Sequence, residues 1–406
     1  MKERLIPEDI LTHIDAPTED SPIPSEVLAS RKKTFLVTLS MYILAWIVYW
    51  AARDKLWNLS VSISASLSNQ GGFLLVYSWI FSEIFYKWYL LVIGILLLLT
   101  PRKERALTCV TTFIISYTVR QYIRLISAEA RPQYTTTDIK FWGGCDCSFG
   151  MPSGHSEGSA MLYALLFYCL TPPGTSPKAR MWIKVAYFYI VLSIMFARVF
   201  YGRHSIPQVV IGALQSGVFF TGMLAYEDRL NEFFKGYLNG EQPQTTTVLI
   251  GSTALTGLTA ATWLLYFDDS VAKNQVTRSN NVCTSCFDNN SFKIRVDLGK
   301  SFCYPTMSLG LALGYVLLKP MYQDFNEHLF LSHLNSQGLF RTLLMVVLHA
   351  PLLIVLLLQQ EAKILIPVDI CLYVFVGFLL SYGMPRLFSC MKLSMPGDLE
   401  YDGRSR

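Results

Sequence analysis

The sequence predicts an all-α fold, a polytopic membrane helical bundle of about nine to ten spans with a six-helix core. Three observations carry that expectation. Of its 406 residues, 52% are hydrophobic and only 16% charged, where a soluble domain carries roughly a quarter charged. Apolar runs near the ~20 residues that cross a bilayer core recur along the whole length. No polar insertion between them is large enough for a separate catalytic domain, the longest being 268–301 and 320–339.

The runs lie near 34–52, 80–100, 106–126, 156–172, 181–200, 206–226, 247–267, 302–319, 340–359 and 365–384. The stretch 71–100 leaves two readings open, a single span or a short interfacial helix followed by a span. The expected organisation is a polar cytosolic tail (1–33), a core bundle (34–226), additional transmembrane helices (227–384) and a second cytosolic tail (385–406). Residues 1–30 hold no short apolar core of a cleavable leader, so the first span is expected to act as its own insertion signal.

Orientation follows from basic residues beside the spans. Arg31, Lys32, Lys33, Arg102, Lys103, Arg105, Lys178, Arg180, Arg386 and Lys392 all fall on one side of a ten-span arrangement, which is then cytosolic. The other side receives 53–79, 127–155, 201–205, 268–301 and 360–364. Both glycosylation sequons, Asn58-Leu59-Ser60 and Asn289-Asn290-Ser291, fall there. The net charge of +5 is spread thinly, and no basic block with interleaved aromatics suggests nucleic acid.

Polar residues gather at three points that an up-and-down bundle brings to one face. The third span ends with Arg120 and Arg124 on one helical face, followed by Arg131-Pro132. An arginine inside a span costs about 2.5–3.5 kcal/mol on insertion scales and is a functional candidate; the alternative is a side chain reaching out to the headgroups. The fourth span opens on Pro152-Ser153-Gly154-His155, and the fifth closes on Ala197-Arg198 before Tyr201-Gly202-Arg203-His204. Arg124, Arg131 and Arg198 offer planar cations that suit a phosphate's several oxygens. Ser153 and the Gly154 amide sit at a helix start, where an anion is also favoured.

His155 and His204 stand alone among the six histidines in lying at this face. Two histidines around a phosphate suit a two-step transfer, one attacking phosphorus through a ring nitrogen and the other protonating the leaving oxygen. No acidic cluster accompanies them, so the expected chemistry uses no metal and no cofactor.

These residues resemble the three motifs of the type 2 phosphatidic acid phosphatase superfamily: a lysine, six residues and Arg-Pro; then Pro-Ser-Gly-His; then Ser-Arg, five residues, His, three residues and Asp. Lipid phosphate phosphatases, glucose-6-phosphatases, dolichyl diphosphatases, sphingosine-1-phosphate phosphatases and vanadium haloperoxidases share them. The likeness covers roughly 86–226. It implies that His204 is the nucleophile, His155 the general acid, and Arg124, Arg131, Ser153, Gly154 and Arg198 the phosphate cradle. The family lysine is Arg124 here, the serine is Ala197, and the aspartate that orients the nucleophile is Gln208. A glutamine carbonyl holds the histidine tautomer but adds no charge. Glucose-6-phosphatases and dolichyl diphosphatases are similar in carrying glutamine there.

The expectation is an integral-membrane phosphatase acting on a lipid phosphate, a polyprenyl diphosphate or a sugar phosphate. Its partner is the lipid bilayer, and its expected place is the endoplasmic reticulum with the site facing the lumen. Tyr134, Phe141 and Trp142 are read as an apolar lip that leans the choice towards lipid. The competing expectations are a phosphate-ester transporter or channel, and a site left inactive by Gln208. Against transport, the ionisable residues lie at one face and not at the midplane. Glu157 either tunes the site or favours the helix start. Cys145, Cys147, Cys283 and Cys286 are candidates for a disulfide, and Cys109, Cys169, Cys303, Cys371 and Cys390 for packing. His349 is read as a hydrogen-bonded bundle residue, the alternative being a pore.

Overall fold

Serine and threonine hydroxyls on the first helix turn back onto the chain. Thr34 and Thr38 donate to the Ser30 and Thr34 carbonyls at 3.0 and 2.9 Å, and Ser40 donates to Leu36 at 2.8 Å. A helix surrounded by hydrocarbon can carry a hydroxyl only if it is satisfied in this local way. In a computed structural model, residues 24–85, 103–127, 129–140, 142, 149–171, 175–239 and 241–265 are described, with isolated positions at 374–375 and 378. Every regular element among them is helical: α1 Ser25–Ala51, α2 Arg53–Ser68, α3 Phe73–Trp79 running into a π-helical turn Ile80–Ile84, α4 Lys103–Ser127, α5 Gly154–Leu170, α6 Pro177–Phe200, α7 Ile206–Ala225, α8 Glu227–Asn239 and α9 Gln242–Leu265.

Among the described residues α1, α6 and α7 are long and apolar enough to cross a membrane. Their outward surface is what a lipid solvent demands. Leu36, Leu44 and Ile47 on α1 and Trp182, Phe188 and Leu192 on α6 are all more than half exposed, a surface that water would penalise at about 25 cal/mol per Å². Tyr42, Trp46, Tyr49 and Trp50 interlock ring against ring at the far end of α1, and the Arg53 guanidinium lies 5.3 Å above the Trp50 ring. Such an aromatic belt is what the headgroup level selects.

Two units are defined among the described residues. The first comprises 24–85 and 115–228, the second 103–114 and 229–265. In the first, α7 packs against α1 and α5, and α6 packs against α2, α3 and α5. Phe81, Ile194 and Ala197 form one buried cluster, and Tyr49, Met151 and Ile211 another. At the end of α1 away from the aromatic belt, Arg31 bonds the Leu224 carbonyl at 3.3 Å and Glu227 at 2.7 Å, while Tyr168 donates to the same carboxylate. In the second unit, Ala106, Leu107, Val110 and Phe113 are buried, and Thr108 donates to Asn231 at 2.9 Å.

Helix starts are written into the sequence. Ser176 caps α6 ahead of Pro177, and Ser205 with Gln208 forms a capping box on α7. Residues 53–70, expected on the extramembrane side, are helical over α2, because Ser60, Ser64 and Ser68, spaced four apart, bury one face of α2 within a bundle. The helix α3 lies in the stretch from 71 on, where a short interfacial helix is one of the two readings. The Asn58 sequon therefore sits on a helix with its Ser60 buried, and Ser60 accepts the first amide of α7, that of Ile206, at 3.2 Å. The region after 226 forms α8, between the expected spans 206–226 and 247–267. The expected spans at 302–319 and 340–359, most of 80–100 and of 365–384, and Cys145, Cys147, Cys283, Cys286, Cys303, Cys371, Cys390 and His349 lie outside the described residues. Cys109 is buried in α4 and Cys169 half-buried in α5.

Candidate active site

The end of α6 sets the position of His204. Gly202 takes a left-handed backbone, φ 61°, and the Gly202 and Arg203 amides donate back to Val199 and Arg198 at 2.9 and 3.1 Å. That is the Schellman pattern of helix termination. A Cβ at Gly202 would lie 2.5 Å from Ile139, so the turn also packs tightly. His204 emerges directly behind it, 1% exposed.

Its ring is held from both sides. Nδ1 lies 2.9 Å from the Gly150 carbonyl and 3.2 Å from Gln208 Oε1. Both partners accept, so Nδ1 carries the hydrogen. Nε2 faces Arg131 Nη1 at 3.1 Å, and a guanidinium only donates, so Nε2 presents its lone pair. The same Arg131 nitrogen donates to the Arg203 carbonyl at 3.1 Å. Gln208 Oε1 thus lies within hydrogen-bond reach of Nδ1, and the Gly150 carbonyl, which belongs to none of the three motifs, is the nearer partner.

The Pro152–His155 turn is pinned by α4. Arg124 Nη2 donates to the Pro152 carbonyl at 3.2 Å and Ser127 to that of Met151 at 2.7 Å. The Ser153 amide donates to the Gln208 carbonyl at 3.0 Å, tying the turn to α7. The Ser153 hydroxyl caps α5 by accepting from the Ser156 amide at 3.4 Å and the Ser156 hydroxyl at 3.1 Å. Both bonds use its oxygen and leave its hydrogen able to donate. Gly154 is required for a reason other than ligand approach alone. A Cβ there would lie 2.8 Å from Arg124 Nη2 and 3.0 Å from Arg120 Nη1.

His155, half-buried at the second position of α5, lies within electrostatic reach of Arg198, His204, Arg203 and Arg131. Arg198 is fully buried, its Nη1 3.0 Å from Ser82 Oγ in the π-helical turn; such turns recur at functional sites. All eight residues expected at the site thus come from α4, α5, α6, α7 and the segments between them. Trp142 was read as part of a lip. Its indole donates to the Ser68 carbonyl at 2.8 Å and packs on the end of α2, with Lys140 4.4 Å above the ring.

Two residues for which the sequence left alternatives open, Arg120 and Glu157, meet each other inside the bundle. Arg120 does not reach for headgroups: it is 2% exposed and pairs with Glu157 at 2.8 Å, while also donating to the Gly154 carbonyl at 2.9 Å. Glu157 is correspondingly an ion-pair partner within the bundle, fully buried, accepting from Ser116 at 2.5 Å. Glu129 was not anticipated at all. It is 4% exposed, accepts from Tyr49 and from Gln208 Nε2 at 3.0 Å, and lies 3.6 Å from Arg53. Burial pushes its carboxyl up to about 7, offset in part by the Gln208 hydrogen bond. The one sequence signal for it was an acid two positions before Arg131. No group of three metal-ligating side chains occurs among the described residues.

No curated protein and no solved structure matches the chain. Residues 105–232 match a family model, and that stretch holds every motif residue named above, from Arg120 on α4 to Gln208 on α7. The family whose model matches residues 105–232 is the PAP2 superfamily.

Proposed function

We propose that the chain is an integral-membrane, metal-independent phosphatase that hydrolyses a lipid or sugar phosphate, or a polyprenyl diphosphate, through a phosphohistidine on His204. The observation that carries this reading is the state of that imidazole. Nδ1–H is donated to Gly150 and Gln208, while the Nε2 lone pair faces a cation that a phosphate would draw away. Nε2 attacks phosphorus as the P–O bond to the leaving group breaks, and His155 gives its proton to the departing oxygen. A water then attacks the phosphohistidine, His155 takes the water's proton, and the P–N bond breaks to release inorganic phosphate.

Around this pair Arg124, Arg131 and Arg198 outnumber the nearby carboxylates. Glu157 is already paired with Arg120, so the surplus of positive charge suits a phosphate dianion. The Ser153 hydroxyl and the amides at the start of α5 add donors on the same side. Tyr49 joins the aromatic belt of α1 to Glu129, which supports reading the site as close to a headgroup level and its substrate as a lipid phosphate. The reading expects a non-cytosolic, lumen-facing site in the endoplasmic reticulum.

Phosphate release by the detergent-purified protein in EDTA tests it, with phosphatidic acid, sphingosine-1-phosphate, dolichyl diphosphate and glucose-6-phosphate as substrates. Release that survives EDTA and is lost in His204→Ala is expected. No release from any substrate by a folded, monodisperse protein overturns the reading and leaves an inactive site or a transporter.

A further inference from the structure

Gln208 stands where the resembled family has an aspartate, so the negative charge behind the nucleophile is missing from that position. A carboxylate nevertheless lies one hydrogen bond further on. The orientation of the Gln208 amide is fixed by four neighbours. Its Oε1 faces two donors, His204 Nδ1 at 3.2 Å and the Ser205 amide at 3.1 Å. Its Nε2 faces two acceptors, Glu129 Oε2 at 3.0 Å and the Ala130 carbonyl at 2.9 Å. Flipping the amide would set donors against donors and acceptors against acceptors.

We infer that Glu129 is a positioning residue that supplies negative charge to His204 through the Gln208 amide. The chain runs from carboxylate to amide N–H, then from amide C=O to Nδ1–H, with each bond polarised in the same sense. A second tie runs through the backbone: the Gly150 amide donates to the Glu129 carbonyl at 2.7 Å, and the Gly150 carbonyl accepts from His204 at 2.9 Å. There is no slack between the two ties, since a Cβ at Gly150 would fall 2.5 Å from Gln208 Nε2. Tyr49 of α1 and Arg53 of α2 hold the far oxygen, so the carboxylate faces α7 with one oxygen committed to Gln208. The kinetic consequences rest on the phosphatase reading; the charge on His204 does not.

The test has two readouts on the full chain in detergent. In protein labelled with 15N-histidine, the His204 resonance is assigned by its loss in His204→Ala and titrated with pH. His204 and Glu129 titrate as a coupled pair, and Glu129→Gln is expected to lower the His204 midpoint by about half a unit or more, since the charged ring loses the carboxylate that gives up its proton in exchange. An unchanged midpoint overturns the inference whether or not a substrate is found. With a substrate in hand, Glu129→Gln is expected to reduce kcat about tenfold or more at a KM within about twofold. Adding Gln208→Asp puts a carboxylate directly on Nδ1, so the double variant is expected to recover at least about fivefold over Glu129→Gln. Equal losses from Glu129→Gln with glutamine or aspartate at 208 would mean that the side chain serves the fold alone, and the inference falls. Absence of any phosphate release defeats the phosphatase reading and leaves the titration to decide Glu129.

Discussion

Arg120 Nη1 and Glu157 Oε2 lie 2.8 Å apart, with the two side chains only 3% and 0% exposed. The pair joins α4 to α5 behind the Pro152–His155 turn, and Arg120 also grips the Gly154 carbonyl. Burying two charges is costly, and removing one partner leaves the other unpaired in a low dielectric. Arg120→Met or Glu157→Leu alone is therefore expected to destabilise by about 3–5 kcal/mol. The double variant Arg120→Met with Glu157→Leu is expected to regain most of that. Unfolding midpoints of the four proteins in detergent check it, and additive losses would contradict it.

Gly154→Ala separates function from stability. The nearest atom its Cβ would meet, at 2.8 Å, is the Arg124 guanidinium end, which can swing away without moving the backbone, while the paired Arg120 end at 3.0 Å has to give by only a few tenths of an ångström. The fold is expected to survive with a small fall in Tm, while displacement of Arg124 lowers phosphate release by about 10²-fold. Gly212→Ala is the contrast, because its Cβ would lie 2.7 Å from the Ser153 carbonyl. That backbone cannot step aside locally, so about 1–3 kcal/mol of stability is expected to go.

Gly202→Ala tests the cap behind His204. Two penalties combine there, a left-handed φ worth about 1–2 kcal/mol and the overlap with Ile139. Adding Ile139→Ala is expected to relieve the second but not the first. Thermal unfolding of the single and double variants measures the remainder.

Gln208→Ala removes the Oε1 acceptor while leaving Gly150 to hold Nδ1. A partial loss of kcat is expected, about 10–10³-fold, smaller than for His204→Ala. A loss equal to that of His204→Ala would show that Gly150 alone cannot hold the tautomer.

The Glu129 carboxyl makes stability depend on pH. Its folded value of about 7 lies above the ordinary 4.5, so the folded protein holds the proton more tightly than the unfolded chain. The resulting stabilisation is fully present below about pH 4.5 and is lost as the pH rises through about 7. Glu129→Gln lacks this titration. The wild-type midpoint minus that of Glu129→Gln is therefore expected to fall between about pH 5 and pH 8, and a flat difference across that window would contradict it.

Membrane class and the three polar clusters were legible in the chain, because each rests on local composition or on spacings of a few residues. The capping serines at 153, 176 and 205 were legible for the same reason, since a cap is a contact three residues long. The helical state of 53–68 was not. Its serines at 60, 64 and 68 favour a helix only once a bundle exists in which their shared face can be buried. Partnerships across the bundle were equally hidden. Glu129 meets Gln208 across 79 positions and Tyr49 across 80, and Arg120 meets Glu157 across 37. Whether a charged side chain in a span reaches outward or pairs inward depends on which neighbours remove water from it, and no stretch of sequence specifies that before the helices pack. Residue types and short spacings therefore announce a phosphate-binding corner, and the packing of α4, α5 and α7 decides which charges stand behind it.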